Sequence, residues 1–131
     1  MTDATNQSRK KILIVEDDEV NRKIMELQLR KYYHIDLAKN GNEALNLFLE
    51  NDYSLILMDI NLGVGKNGID VMKEIRSSEK GRMVPVIAIT AFASFGQKEA
   101  FLASGFNNYI SKPYQTDELL RIIMDTINFY N

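Results

Sequence analysis

The chain has 131 residues, 45% of them hydrophobic, which is enough for one substantial core and too few for two comfortable domains. Sixteen Lys and Arg against eighteen Asp and Glu leave a formal charge of -2, which supplies no sequence-independent attraction to nucleic acid or to an anionic membrane. With no cysteine there is no disulfide framework or thiolate zinc site, and one histidine, His34, cannot build an imidazole cluster, so only hard, oxygen-rich metal binding stays open.

Residues 1–10 read as a loose polar tail and residues 11–131 as one domain. Ile12-Leu13-Ile14-Val15 is a buried strand, and Val20, Ile24, Leu27 and Lys31 follow at helical spacing as a predicted stripe. Ile35 and Leu37 alternate with Asp36 and Ala38, which predicts a half-exposed edge strand. Asn40-Gly41-Asn42 turns the chain into a helix marked by Ala44, Leu45, Phe48 and Leu49. Leu55 to Met58 is a third strand, Gly63 to Gly68 a loop, and Ile69, Met72 and Ile75 a third helix. Val84 to Ile89 is a fourth strand, and Gln97 to Ser104 a helix that Gly105 ends. Tyr109-Ile110 is a short fifth strand, followed by Lys112-Pro113. The last helix is predicted to start from Thr116 as N-cap, with Asp117 and Glu118 in its first turn and Leu119, Leu120, Ile123, Met124 and Ile127 as its apolar face.

Five strands alternating with five helices predict an α/β fold, a doubly wound parallel sheet covered on both faces by right-handed crossovers. No apolar run approaches the roughly 20 residues that span a bilayer. Ile12 to Val15 is too short for a signal-peptide core. A cytoplasmic protein with no membrane insertion and no appended output domain is expected.

The strand tips carry the chemistry. Glu16 and Asp17 follow the first strand, Asp59 the third, Thr90 the fourth and Lys112 the fifth. In the order 2-1-3-4-5 the first and third strands are neighbours at the switch point, so three carboxylates would face one another. Such a cluster requires a cation, and oxygen ligands with open water positions suit Mg²⁺. A lysine and a hydroxyl beside it are what phosphoryl oxygens need, and Asp59, at the strand tip, is the candidate nucleophile. Taken singly, Glu16-Asp17-Asp18 could be a solvated helix start, Thr90 a strand end, Lys112 a surface lysine and Asp59 a buried cap. Four tips carrying complementary groups together predict a site.

These motifs, ILIVEDDEVNR (Ile12 to Arg22), LILMDINL (Leu55 to Leu62), VIAITA (Val86 to Ala91) and YISKP (Tyr109 to Pro113), resemble the receiver domain of two-component response regulators, over Lys11 to Asn128. The resemblance implies a flavodoxin-like fold and an Asp59 that accepts a phosphoryl group from a phosphohistidine on a histidine kinase or histidine phosphotransfer protein. It implies Mg²⁺ held by Asp17, Asp59 and the backbone carbonyl of Asn61, with Glu16 joining through water. Lys112, the Thr90 hydroxyl and the Ala91 amide would bind phosphoryl oxygens. Thr90 would move toward the phosphate as Tyr109 turns inward, shifting the surface of the last helices and strand toward a downstream protein target. Lys112-Pro113 is expected to be cis, and the protein a monomer or weak dimer.

Some positions depart from the family pattern. Glu16 stands where many receivers have aspartate, and the loop from Gly63 to Gly68 is longer and freer than usual. Phe92, two residues beyond Thr90, is expected either to hinder hydrolytic water, lengthening the phosphate's life, or to pack under the fourth helix. His34 precedes the second strand and is expected at the surface, far from the crevice. Phe95, Phe101 and Phe106 are expected to serve the core, an exposed subset being a possible partner surface. Three other functions compete with the switch. An aspartyl-nucleophile phosphohydrolase would place D-x-D after the first strand, whereas Asp59-Ile60-Asn61 follows the third. A phosphorylation-independent interaction module, or a flavin-binding one, would not need these acidic and basic groups.

Overall fold

The computed structural model describes residues 9–63, 67–91 and 95–131, apart from the side chain of Phe95. Within it the strands are β1 (Lys11–Val15), β2 (His34–Ala38), β3 (Leu55–Asp59), β4 (Val86–Thr90) and β5 (Asn108–Ser111). Alternating with them are the helices α1 (Glu19–Leu29), α2 (Gly41–Glu50), α3 (Gly68–Ser77), α4 (Phe95–Ser104) and α5 (Thr116–Tyr130). The strands are parallel throughout and ordered β2-β1-β3-β4-β5, as the strand rhythm and the switch-point argument require.

Continuous apolar runs form the central strands because both sheet faces are covered, so alternate residues enter two separate cores. Leu13, Val15, Ile56, Met58, Val86 and Ala88 pack against Phe48 of α2, Val71, Met72 and Ile75 of α3 and Phe101 of α4. On the opposite face Ile12, Ile14, Leu55, Leu57, Ile87 and Ile89 meet Met25 and Leu29 of α1 and Leu119, Ile123 and Ile127 of α5. Burying each large side chain contributes about 1.5–3 kcal/mol, and β1, β3 and β4 bury nearly every one they carry.

Several expectations need correction. The stripe on α1 faces solvent: Val20, Ile24 and Leu27 are 66%, 47% and 49% exposed, and Met25 and Leu29 meet the sheet instead. The helix is pinned at its start by Asp18, whose carboxylate accepts from the Asn21 amide at 2.8 Å, and Met25 and Leu29, one turn apart, form its inward edge. On α2 and α5 the stripes are narrower than read, since Leu49 and Met124 are exposed. The strand β2 is a half-exposed edge strand as expected, with Ile35 and Leu37 on one core, and the one difference is that Ala38 is buried in the other core. Asp36 is half-buried, accepting from the Tyr53 hydroxyl at 2.7 Å beside the Lys11 ammonium at 3.4 Å. The fourth strand starts at Val86, with Pro85 lending its carbonyl to the Ile56 amide, and ends at Thr90.

Thr116 is the first residue of α5, and Gln115 is the N-cap, with its amide donating to the Glu118 carboxylate. The Thr116 hydroxyl instead accepts from Gln28 of α1 at 2.8 Å. Gly105 ends α4 with φ of +128°, as anticipated, and Lys112-Pro113 is cis. Phe101 and Phe106 are buried as an edge-to-face pair. His34 is exposed at the first position of β2, the end of the sheet away from the strand tips. Phe92 and residues 64–66 of the loop lie outside the described residues.

Candidate functional site

At the carboxyl edge of the sheet, β1, β3, β4 and β5 deliver their terminal residues to one crevice of about 300 Å³. Glu16, Asp17, Asp59, Asn61, Thr90, Ala91 and Lys112, all expected there, line it. The register explains the convergence. Val15 pairs with Met58, so Glu16 and Asp59 are the next residues on adjacent strands, and Thr90 pairs with Ser111, which precedes Lys112.

Glu16 and Asp59 are almost wholly buried, whereas Asp17 is exposed at the mouth. One carboxylate oxygen from each of the three lies within 4.8 Å of the others. The Lys112 ammonium sits 3.3 Å from Asp59 Oδ2 and 3.4 Å from Glu16 Oε1. Asp59 Oδ1 accepts from the Asn61 amide at 3.1 Å, and Glu16 Oε2 from the Asp18 amide at 3.0 Å. Both Glu16 oxygens are therefore occupied by protein donors, while Asp17 stays open to solvent. Thr90 is buried at its strand end, and its carbonyl accepts from the Lys112 amide at 2.8 Å. Tyr109 is half-buried against the core on the α2, α3 and α4 side, under the Lys98 ammonium 5.4 Å from its ring.

Crowded charge shows in the titration behaviour. Burial raises the Glu16 carboxyl to about 7; the Asp18 amide opposes this, and the Asp59 charge adds to it. Burial also works against the Lys112 charge, but Asp59 and Glu16 outweigh it and hold the ammonium above the ordinary lysine value.

Reasoning from the sequence overlooked four contributors. Asn21, in the first turn of α1, lines the crevice. Arg22 donates to the Glu16 and Asp17 carbonyls. Tyr114 sits close enough that burial, then the charges of Glu16 and Asp59, push its phenol up to about 12. Gly63 has φ of +76°, and a Cβ there would come within 2.9 Å of Asp17 Oδ2. Asn21 and Arg22 stand inside the first motif and Tyr114 directly after the last, so position relative to the motifs was the available signal.

A doubly wound sheet whose switch-point crevice carries three acids, a lysine and a strand-end threonine defines a class of phosphoryl-handling α/β domains. The chain belongs to the response regulator receiver domain family, whose model matches residues 12–124. It is 39% identical over 115 residues to the polar-differentiation response regulator DivK of Brucella anthropi, covering 87% of this chain and 93% of that protein. It is 36% identical over 128 residues to hybrid signal transduction histidine kinase I of Dictyostelium discoideum, covering 92% of this chain but only 7% of the kinase. Among solved structures, the receiver domain of the sensor histidine kinase PA1611 from Pseudomonas aeruginosa PAO1 superposes with a TM-score of 0.83 at 39% identity. That match covers 92% of this chain and 99% of the other, which holds a magnesium ion in its active-site cleft. No helix among the described residues is long and apolar enough to cross a membrane.

Proposed function

We propose that this domain is a phosphoryl-accepting switch of a two-component phosphorelay, in which Asp59 takes a phosphoryl group from a phosphohistidine on a histidine kinase or histidine phosphotransfer protein. A carboxylate oxygen of Asp59 attacks phosphorus, the P–N bond breaks, and the electron pair leaves with the imidazole nitrogen, giving an aspartyl phosphate. Later, water attacks the same phosphorus and Asp59 departs as carboxylate, releasing inorganic phosphate. The domain thus accepts, holds and slowly loses one group, without turning over a free substrate. The observation that carries this reading is the Lys112 ammonium 3.3 Å from Asp59 Oδ2 within a cluster of three carboxylates.

The donor set fits a hard divalent cation: three carboxylates gather at a solvent-facing crevice with one ammonium to balance them. Asp17, Asp59 and the Asn61 carbonyl would hold Mg²⁺, and Glu16 would join them through water. Bound there, Mg²⁺ supplies charge neutralisation to the carboxylates and to the incoming phosphoryl oxygens. Lys112 holds one phosphoryl oxygen, and the Thr90 hydroxyl and Ala91 amide hold others. Contacts made only to the phosphoryl group draw Thr90 inward, Tyr109 follows, and the β5 and α5 surface changes for a downstream protein target. The exposed row Val20, Ile24 and Leu27 on α1, the helix whose Asn21 lines the crevice, supports docking of the donor protein there. We take the domain to span residues 11–131 and to work in the cytoplasm, as a monomer or weak dimer.

Incubation with a small acyl phosphate and Mg²⁺, read by intact mass, tests the reading. Wild type gains the mass of one phosphoryl group, while Asp59→Asn and chelated wild type gain nothing. An equal gain in Asp59→Asn overturns it.

A further inference from the structure

Arg22 carries an unassigned task. Its side chain reaches back from the first turn of α1, and one guanidinium nitrogen, Nη1, donates to the Glu16 carbonyl at 3.0 Å and the Asp17 carbonyl at 3.1 Å. Those carbonyls lie between the end of β1 and the start of α1, where neither ladder nor helix fixes their direction. Other anchors hold the rest of the turn. The Glu16 amide donates to Ala38 at 3.0 Å, and the Arg22 amide donates to the Asp18 carbonyl at 2.9 Å. The two peptide units that start at Glu16 and Asp17 are thereby clamped from one point, and they decide where the Asp17 carboxylate projects.

Among the described residues Arg22 forms no ion pair, although α1 offers Glu19 and Glu26 one turn to either side. Its hydrogen bonds run to main-chain carbonyls and not to the carboxylates, so its action is directional, through the main chain. The two N–H bonds of Nη1 lie in the rigid guanidinium plane and so point in fixed directions, whereas the donors of a lysine ammonium rotate freely on a flexible stem and hold two adjacent carbonyls less firmly.

We infer that Arg22 is a positioning residue for the metal centre, clamping the Glu16 and Asp17 carbonyls so that Asp17 meets Asp59 at a divalent cation. This rests on the metal-binding reading of the crevice given above. Groups that orient ligands in this way typically change metal affinity by about 10–100-fold when removed.

The test is calorimetric titration of the metal-free full chain with MgCl₂ at pH 8, far below the unfolding temperature of each variant. Wild type, Arg22→Met, Arg22→Lys and Asp17→Asn are compared. Arg22→Met is expected to weaken Mg²⁺ binding about tenfold or more, with Arg22→Lys only partly restoring it. Wild-type affinity in Arg22→Met, with Asp17→Asn strongly weakened, overturns this inference and leaves the metal centre standing. Unchanged affinity in Asp17→Asn overturns both. Should Arg22→Met not fold, Arg22→Lys decides: full wild-type affinity would show that the fixed direction of the guanidinium donors is not needed and would refute the clamp.

Discussion

Replacing Glu16 with glutamine should stabilise the metal-free protein at alkaline pH. The folded carboxyl titrates near 7 against 4.5 in the unfolded chain, because burial and the Asp59 charge outweigh the Asp18 amide and Lys112. A raised value means that the folded state holds the proton more tightly. Its contribution is therefore complete below pH 4.5, declines as the unfolded chain sheds its proton first, and is exhausted above pH 7. At about 1.36 kcal/mol per pH unit, the interval corresponds to about 3 kcal/mol, a large part of the about 5–15 kcal/mol that holds a domain folded. A glutamine amide keeps an oxygen for the Asp18 amide and can donate to Asp59, as protonated Glu16 does, and it never ionises. Urea unfolding in chelator from pH 4 to pH 8 measures the effect. The two proteins should be of similar stability near pH 4, and the variant should gain by up to about 3 kcal/mol near pH 8. A difference that does not change with pH, or a less stable variant at pH 8, would refute the reasoning.

Arg76 is held by the carbonyls of Gly81, Val84 and Gly105 and by Asn107 Oδ1. Arg76→Met should cost about 3 kcal/mol in urea unfolding at unchanged slope, since partly buried carbonyls lose a charged donor, and a loss under about 1 kcal/mol would contradict this. Gly68 lies against the tip of β3, where an added Cβ would overlap the Asp59 carbonyl and come within 2.9 Å of Ile60 Cα. Gly68→Ala should destabilise by about 2 kcal/mol and slow phosphorylation together, because backbone cannot yield as a side chain can; unchanged melting and rate would count against it.

The sheet order and the crevice were legible because both rest on strands, where a short apolar run fixes the position of the polar residue that follows it. Glu16, Asp59, Thr90 and Lys112 each come at such a point, so counting to the end of the run located them. Helix facing was less legible. Val20, Ile24 and Leu27 keep helical spacing yet face solvent, since spacing gives a stripe but not its direction, and Met25 with Leu29 offers a second apolar pair that packs on the sheet instead. Thr116 looks like a cap by residue type, but its hydroxyl goes to Gln28 on another element. Arg22 and Tyr114 escaped for a related reason: one acts through main-chain carbonyls and the other through proximity in space, and neither leaves a periodic trace.

The most direct test of the central claim is to find which side chain carries the phosphoryl group. Protein treated with a phosphodonor and Mg²⁺, reduced with borohydride and digested, should yield homoserine in place of aspartate at position 59 and nowhere else. Reduction or label at Glu16, Asp17 or His34, with position 59 untouched, would contradict the account.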